Sequence, residues 1–163
     1  MDSKIILGGE TIEIEKNGEE KYNKNENSEF ERLPPDYVKF DLKYKIIIIG
    51  DSGVGKTSMM KRIIDGKFQD NLPPTLGKDL GSLIYRYKEK ILNLEIWDTC
   101  GQECYRSLIK GYFTDSSLAV IVYAVDNEKS FNSVNEWIMQ CKLNCSPETK
   151  FVLIGNKTDL KEK

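Results

Sequence analysis

The residues predict an α/β fold: a three-layer arrangement with a mostly parallel central sheet between helices. Three observations lead there. Short, β-branched apolar runs recur at residues 44–49, 118–124 and 151–154. Segments with helical apolar spacing stand between them. The first run ends at Gly50 and passes through Gly50-Asp51-Ser52-Gly53-Val54-Gly55-Lys56-Thr57 directly into a helical pattern, a strand–loop–helix order.

The elements follow in order. Tyr44-Lys45-Ile46-Ile47-Ile48-Ile49 is too short for a helix and apolar enough for a central strand. Residues 56–65 put Met59, Met60, Ile63 and Ile64 on one side, with Gly66 as the C-terminal stop. Residues 82–87 and 91–97 alternate around Lys88-Glu89-Lys90, which predicts a hairpin. Residues 118–124 read as a buried strand. Ser130 is placed to cap a helix in which Phe131, Val134, Ile138 and Cys141 recur at helical spacing. Residues 151–154 make a further strand. No internal repeat is present.

Composition divides residues 1–40, an expected disordered acidic and Asn-rich extension, from a domain at 41–163. The stretch from Asn17 to Glu29 has almost nothing to bury. Ile12-Glu13-Ile14 reads either as a short strand or as no element. The extension is either a solvated tail or a docking segment, and Pro34-Pro35 punctuates its end.

The 163 residues suit one domain, and 24 basic against 26 acidic residues leave a formal charge of −2. That balance offers no basic stripe for nucleic acid. The four cysteines, Cys100, Cys104, Cys141 and Cys145, form two pairs at four-residue spacing with no histidine to join them. They read as structural, reduced thiols, with a four-thiolate zinc site as the alternative; the first reading fits a cytoplasmic compartment. No signal peptide, membrane span, N-myristoylation signal or prenylatable C-terminal cysteine is visible, so the chain as it stands is expected to be soluble.

The loop at residues 50–57 is a phosphate-binding loop in the context such a motif requires. Its glycines let main-chain N–H groups turn inward, and the following helix adds its positive end. Lys56 can reach β- and γ-phosphates, and the Thr57 hydroxyl can coordinate Mg²⁺. The loop alone separates neither GTP from ATP nor hydrolase from kinase. Asp98-Thr99-Cys100-Gly101-Gln102-Glu103 follows an apolar strand, so Asp98 stands where a magnesium-water ligand belongs. Asn156-Lys157-Thr158-Asp159 follows another. Asp159 can accept from N1–H and the 2-amino group of guanine, donors that adenine lacks there.

With these three motifs in order, residues 44–160 resemble a small GTPase of the Ras superfamily, and within it the Rab family. GDSGVGKT, Thr75-Leu76-Gly77-Lys78-Asp79-Leu80, Trp97-Asp98-Thr99 and Tyr105-Arg106-Ser107-Leu108 carry the likeness. The resemblance implies a P-loop NTPase fold and nucleotide contacts from Asp51, Ser52, Gly53, Val54, Gly55, Lys56, Thr57 and Ser58. It implies that Phe68 lies edge-on to the guanine, with a plain core aromatic as the alternative. Thr75 would bind Mg²⁺ beside Thr57 and Asp98 and hold the first switch over the γ-phosphate. The Gly101 amide would contact that phosphate, and Gln102 would orient the attacking water as the catalytic residue. Asn156 and Lys157 would brace the loop and base. Leu80, Trp97 and Tyr112 would form an effector surface, or else serve the core.

The implied function is a GTP-hydrolysing switch in vesicle traffic, slow without an activating protein. A monomer is expected, using GTP/GDP and Mg²⁺, with an exchange factor, an activating protein and effectors meeting its switch regions. The alternative is a non-catalytic nucleotide-binding or scaffold module; a P-loop kinase or ATPase is disfavoured by NKTD and Gln102. Several positions depart from the family pattern: Cys100 for the usual Ala, Cys104 for Arg, Pro73-Pro74 before Thr75, and Lys78 and Leu80. The family continues beyond NKxD with a strand and helices, so a chain truncated at its C-terminus is expected, its last strand left with an open edge. Membrane association would require prenylated cysteines in a missing C-terminus.

Overall fold

The computed structural model describes residues 4–7, 10–13, 29–69, 72–73, 75, 78–99 and 111–160. Its strands are β1 (Lys4–Leu7), β2 (Glu10–Glu13), β3 (Phe30–Leu33), β4 (Leu42–Ile49), β5 (Lys78–Tyr87), β6 (Lys90–Thr99), β7 (Leu118–Ala124) and β8 (Lys150–Asn156). Its helices are α1 (Lys56–Asp65), α2 (Glu128–Asn132) and α3 (Val134–Asn144), followed by a 3₁₀ turn at Thr158–Leu160. β1 and β2 pair with each other, and six strands form the main sheet in the order β3-β5-β6-β4-β7-β8.

The sheet is mostly parallel, as expected. β4 runs parallel to β6 and β7, and β7 parallel to β8, while β5 is antiparallel to β6 and to β3. β4 is central because its four consecutive isoleucines can bury both faces, as a strand between helical layers requires. Alternation sends Ile47 and Ile49 into one core with Phe113, Ile121, Val134, Trp137 and Cys141, which is the α3 side. Ile48 goes to the opposite core with Val54, Met60, Leu83, Ile96 and Val122, under α1. Burial along β4 deepens toward its C-terminal end, where the loop at residues 50–55 begins. The C-terminal end of β4 is therefore its best-packed end.

Helix α1 spans the range its periodicity predicts, and Gly66 closes it in the left-handed conformation, its N–H donating to Arg62 O. The hairpin turns at Lys88-Glu89 as expected. Two expectations need correction. Ser130 does not cap its helix: Asn127 does, accepting from Ser130 N, while the Ser130 hydroxyl donates to Ala124 O and accepts from Ala124 N. An asparagine three residues earlier satisfies the orphan donor equally well, and the buried serine ties the helix start to the end of β7.

The second concerns the boundary at residue 41. Phe30–Leu33, assigned by composition to a disordered extension, forms β3 along the edge of β5. Main-chain hydrogen bonds make that ladder, so its side chains need not be apolar. Leu33 is nonetheless buried, Phe30 stacks on Tyr87 at 4.5 Å, Glu31 pairs with Arg86, and Arg32 donates to Ile64 O at the end of α1. Ile12 and Glu13 lie in β2, while Ile14 and residues 15–28 fall outside the described residues. Cys141 and Cys145 are free, and burial pushes both thiols up. Among the described residues no helix is long and apolar enough to cross a membrane.

Candidate functional site

The site gathers at the C-terminal ends of the parallel strands, where a ligand crevice belongs in an open α/β sheet. Beyond β4 the chain turns through Gly50 and Gly55, at φ +144° and +95°. Side chains are excluded at both: a Cβ on Gly50 would lie 2.1 Å from Val122 O, and one on Gly55 2.4 Å from Asn156 Nδ2. Gly55 is the N-cap of α1 and makes no side-chain cap, and the first turn holds no acidic residue. The helix thus presents its positive end and its main-chain donors to whatever occupies the loop.

Lys56 is 5% exposed, and its ammonium donates to Gly50 O at 2.9 Å and Asp51 O at 2.8 Å, reaching back across the loop it follows. Ser52 and Gly53 are exposed at the loop's rim, Val54 is buried beneath it, and Thr57 and Ser58 are half-buried in the first turn. Asp51 turns its side chain toward α3, where Trp137 Nε1 donates to Oδ1 at 2.7 Å. Sequence reasoning missed Trp137. The one available signal was a carboxylate inside a loop expected to bind phosphate, a position that needs a partner to hold it.

Three oxygen-bearing side chains converge beside α1. The Thr57 hydroxyl donates to Asp98 Oδ2 at 2.5 Å and lies 2.7 Å from the Thr75 hydroxyl, which is 3.3 Å from the same carboxylate oxygen. Thr99, next to Asp98, donates to Ile48 O and pins the end of β6 to β4. Asp98 is fully buried, and its Oδ1 accepts no hydrogen bond among the described residues. Burial raises its pKa, opposed by the Thr57 hydroxyl and the Lys56 charge. Two hydroxyls and a carboxylate form a hard, all-oxygen donor set, and a buried carboxylate oxygen without a donor is what a small divalent cation would satisfy. The residues fit Mg²⁺.

The segment expected to read the base follows at the end of β8. Asn156 is 8% exposed and donates from Nδ2 to Val54 O at 2.8 Å, which ties this segment to the loop at residues 50–57 across 102 residues. Lys157 is in the left-handed region at φ +61°, and Asp159 is exposed in the 3₁₀ turn. Phe68 is 39% exposed beyond α1. Leu80 stands opposite Trp97 in the β5–β6 ladder, and the Trp97 ring lies 6.2 Å from that of Tyr112 with the Lys45 ammonium over it at 4.4 Å. Leu80 is 52% exposed, whereas Trp97 and Tyr112 pack against the α3-side core. Gly101 and Gln102 lie outside the described residues, as do Cys100, Cys104 and Pro74.

The family model for the Ras family matches residues 45–163. The chain is 37% identical over 123 residues to Ras-related protein Rab-2B of Dictyostelium discoideum, covering 76% of this chain and 61% of the relative. It is 40% identical over 118 residues to Ras-related protein Rab-4 of the same organism, covering 72% and 58%. The chain spans about three-fifths of the length of these curated relatives.

Proposed function

The chain belongs to the Ras family, with Rab-like relatives, and from that premise we propose that it is a guanine-nucleotide switch that hydrolyses GTP slowly and regulates membrane traffic. The observation that carries the reading is the convergence of Thr57, Thr75 and Asp98 beside the N-terminus of α1. These residues come from three separated segments, and oxygen ligands for a phosphate-bound cation account for all three.

In this reading Lys56 and the main-chain amides of residues 51–58 bind and neutralise the phosphates. Thr57 and Thr75 hold Mg²⁺ with Asp98, and the ion when bound offsets charge on the β- and γ-phosphate oxygens. Asp159 reads guanine, Asn156 and Lys157 brace it, and Phe68 lies against the ring. Gln102 orients the attacking water, with the Gly101 amide on the γ-phosphate. Ras-type intrinsic turnover is on the order of 10⁻⁴ s⁻¹, and a partner's arginine raises it ~10⁵-fold. The product of such a slow reaction is conformational: the segments around Thr75 and Gln102 are ordered by the γ-phosphate and released after hydrolysis. Leu80, Trp97 and Tyr112 then present the state to effectors in the cytoplasm and on the membranes it faces.

Purified chain in millimolar Mg²⁺ is expected to retain GDP or GTP against excess ATP and to release phosphate slowly. Folded protein that retains no guanine nucleotide overturns the reading. Retention without turnover, even with a broad-specificity activating protein, selects a binding module instead.

A further inference from the structure

We propose that Trp137 is a positioning residue for the nucleotide: its indole N–H holds the Asp51 carboxylate on the α3 side of the loop, away from the phosphates. This deepens the proposed function and rests on residues 50–57 being the phosphate site. Asp51 places a negative charge in a loop that receives anions. Its own carbonyl oxygen is 2.8 Å from the Lys56 ammonium, so an unheld carboxylate has that ammonium within reach. An Asp51–Lys56 pair would take the cation that phosphate needs and add repulsion against the phosphate oxygens.

Trp137 prevents this by geometry. It is 3% exposed in the core shared with Ile49, the residue before the loop, and with Phe113. A ring fixed on so many sides keeps its N–H aimed at one point, 2.7 Å from Asp51 Oδ1. An apolar core position needs no donor and phenylalanine would fill most of it, whereas a carboxylate in a phosphate loop does need one.

The test is a charge-suppression experiment on the 163-residue chain loaded with fluorescent GDP. Trp137→Phe should speed GDP release by roughly ten- to hundred-fold, the range of one charge-assisted hydrogen bond. Trp137→Phe with Asp51→Asn should return release to within a few-fold of the parent, because the unheld charge is gone. A purely structural tryptophan predicts instead that the double variant releases as fast as Trp137→Phe, and that result overturns the proposal. If Trp137→Phe fails to fold, the parent decides. With two tryptophans in the chain, Trp97→Phe assigns the indole resonances. The Trp137 N–H should be downfield and protected from exchange in the GDP form, and an unprotected N–H there overturns the proposal. A parent that binds no GDP would count against the proposed function itself.

Discussion

Replacing Gly55 with alanine tests how the loop at residues 50–57 and the segment at residues 156–159 are joined. The residue sits at φ +95°, and the added Cβ would lie 2.4 Å from Asn156 Nδ2. A side chain in the left-handed region costs about 1–2 kcal/mol. The methyl must also displace the Asn156 amide from Val54 O, and stranding those buried groups costs about 1–3 kcal/mol. The combined loss of about 2–5 kcal/mol is a large share of a typical ~5–15 kcal/mol. Since the strain falls on the N-cap of α1, GDP should leave at least about tenfold faster. Asn156→Ala alone should lose about 1–3 kcal/mol, and the double variant should add only the backbone cost of about 1–2 kcal/mol. Urea unfolding of the GDP-loaded parent, both single variants and the double variant closes the cycle. Strictly additive losses would refute Asn156 as the group the methyl meets.

Asp98→Asn should change a pH dependence. In metal-free protein, burial makes the folded state hold the Asp98 proton more tightly than the unfolded chain does, so stability falls as pH rises from the ordinary carboxylate range, about pH 4, through the raised pKa. The variant should lose that slope in EDTA, together with the Mg²⁺ dependence of nucleotide retention; a retained slope assigns the titration elsewhere. Gln102→Leu should spare GTP binding and slow single-turnover hydrolysis, and unchanged turnover would remove Gln102 from its assigned role. Asp159→Asn should loosen guanine selectivity, read as competition by xanthine nucleotides; undiminished discrimination speaks against the Asp159 contact. Leu33→Ala should cost about 2 kcal/mol in urea unfolding, as a buried leucine does, and a loss near zero would mean that β3 is not docked in solution.

Much of the fold was legible because local pattern and tertiary demand agree. Four isoleucines in β4 suit only a strand covered on both faces, and Met60 with its neighbours fixed the packed side of α1. The turn at residues 50–57 between β4 and α1 was legible because its constraints are local: glycine conformations and the strand and helix on either side. Thr75 and Asp98 were assigned by resemblance and by strand-end position, and the structure brings both to Thr57. What escaped depends on distant partners. Phe30-Glu31-Arg32-Leu33 carries no strand pattern of its own, since its register is imposed by residues 84–87. The Trp137–Asp51 bond joins positions 86 apart, and no periodicity encodes it. Ser130 was misread because a hydroxyl near a helix start has two uses, and the buried one prevailed.

Strand β3 also sets an order of events during synthesis. Glu31 precedes its partner Arg86 by 55 positions, so residues 30–33 leave the ribosome long before anything exists for them to pair with. Contacts of such separation form late, once the β5–β6 hairpin offers its edge. Until then residues 84–87 are open to any neighbouring chain, and docking of β3 closes the opportunity from within the molecule. Proteolysis just after Leu33 would undo that protection while sparing the loop at residues 50–57, leaving fragments prone to sticking edge to edge.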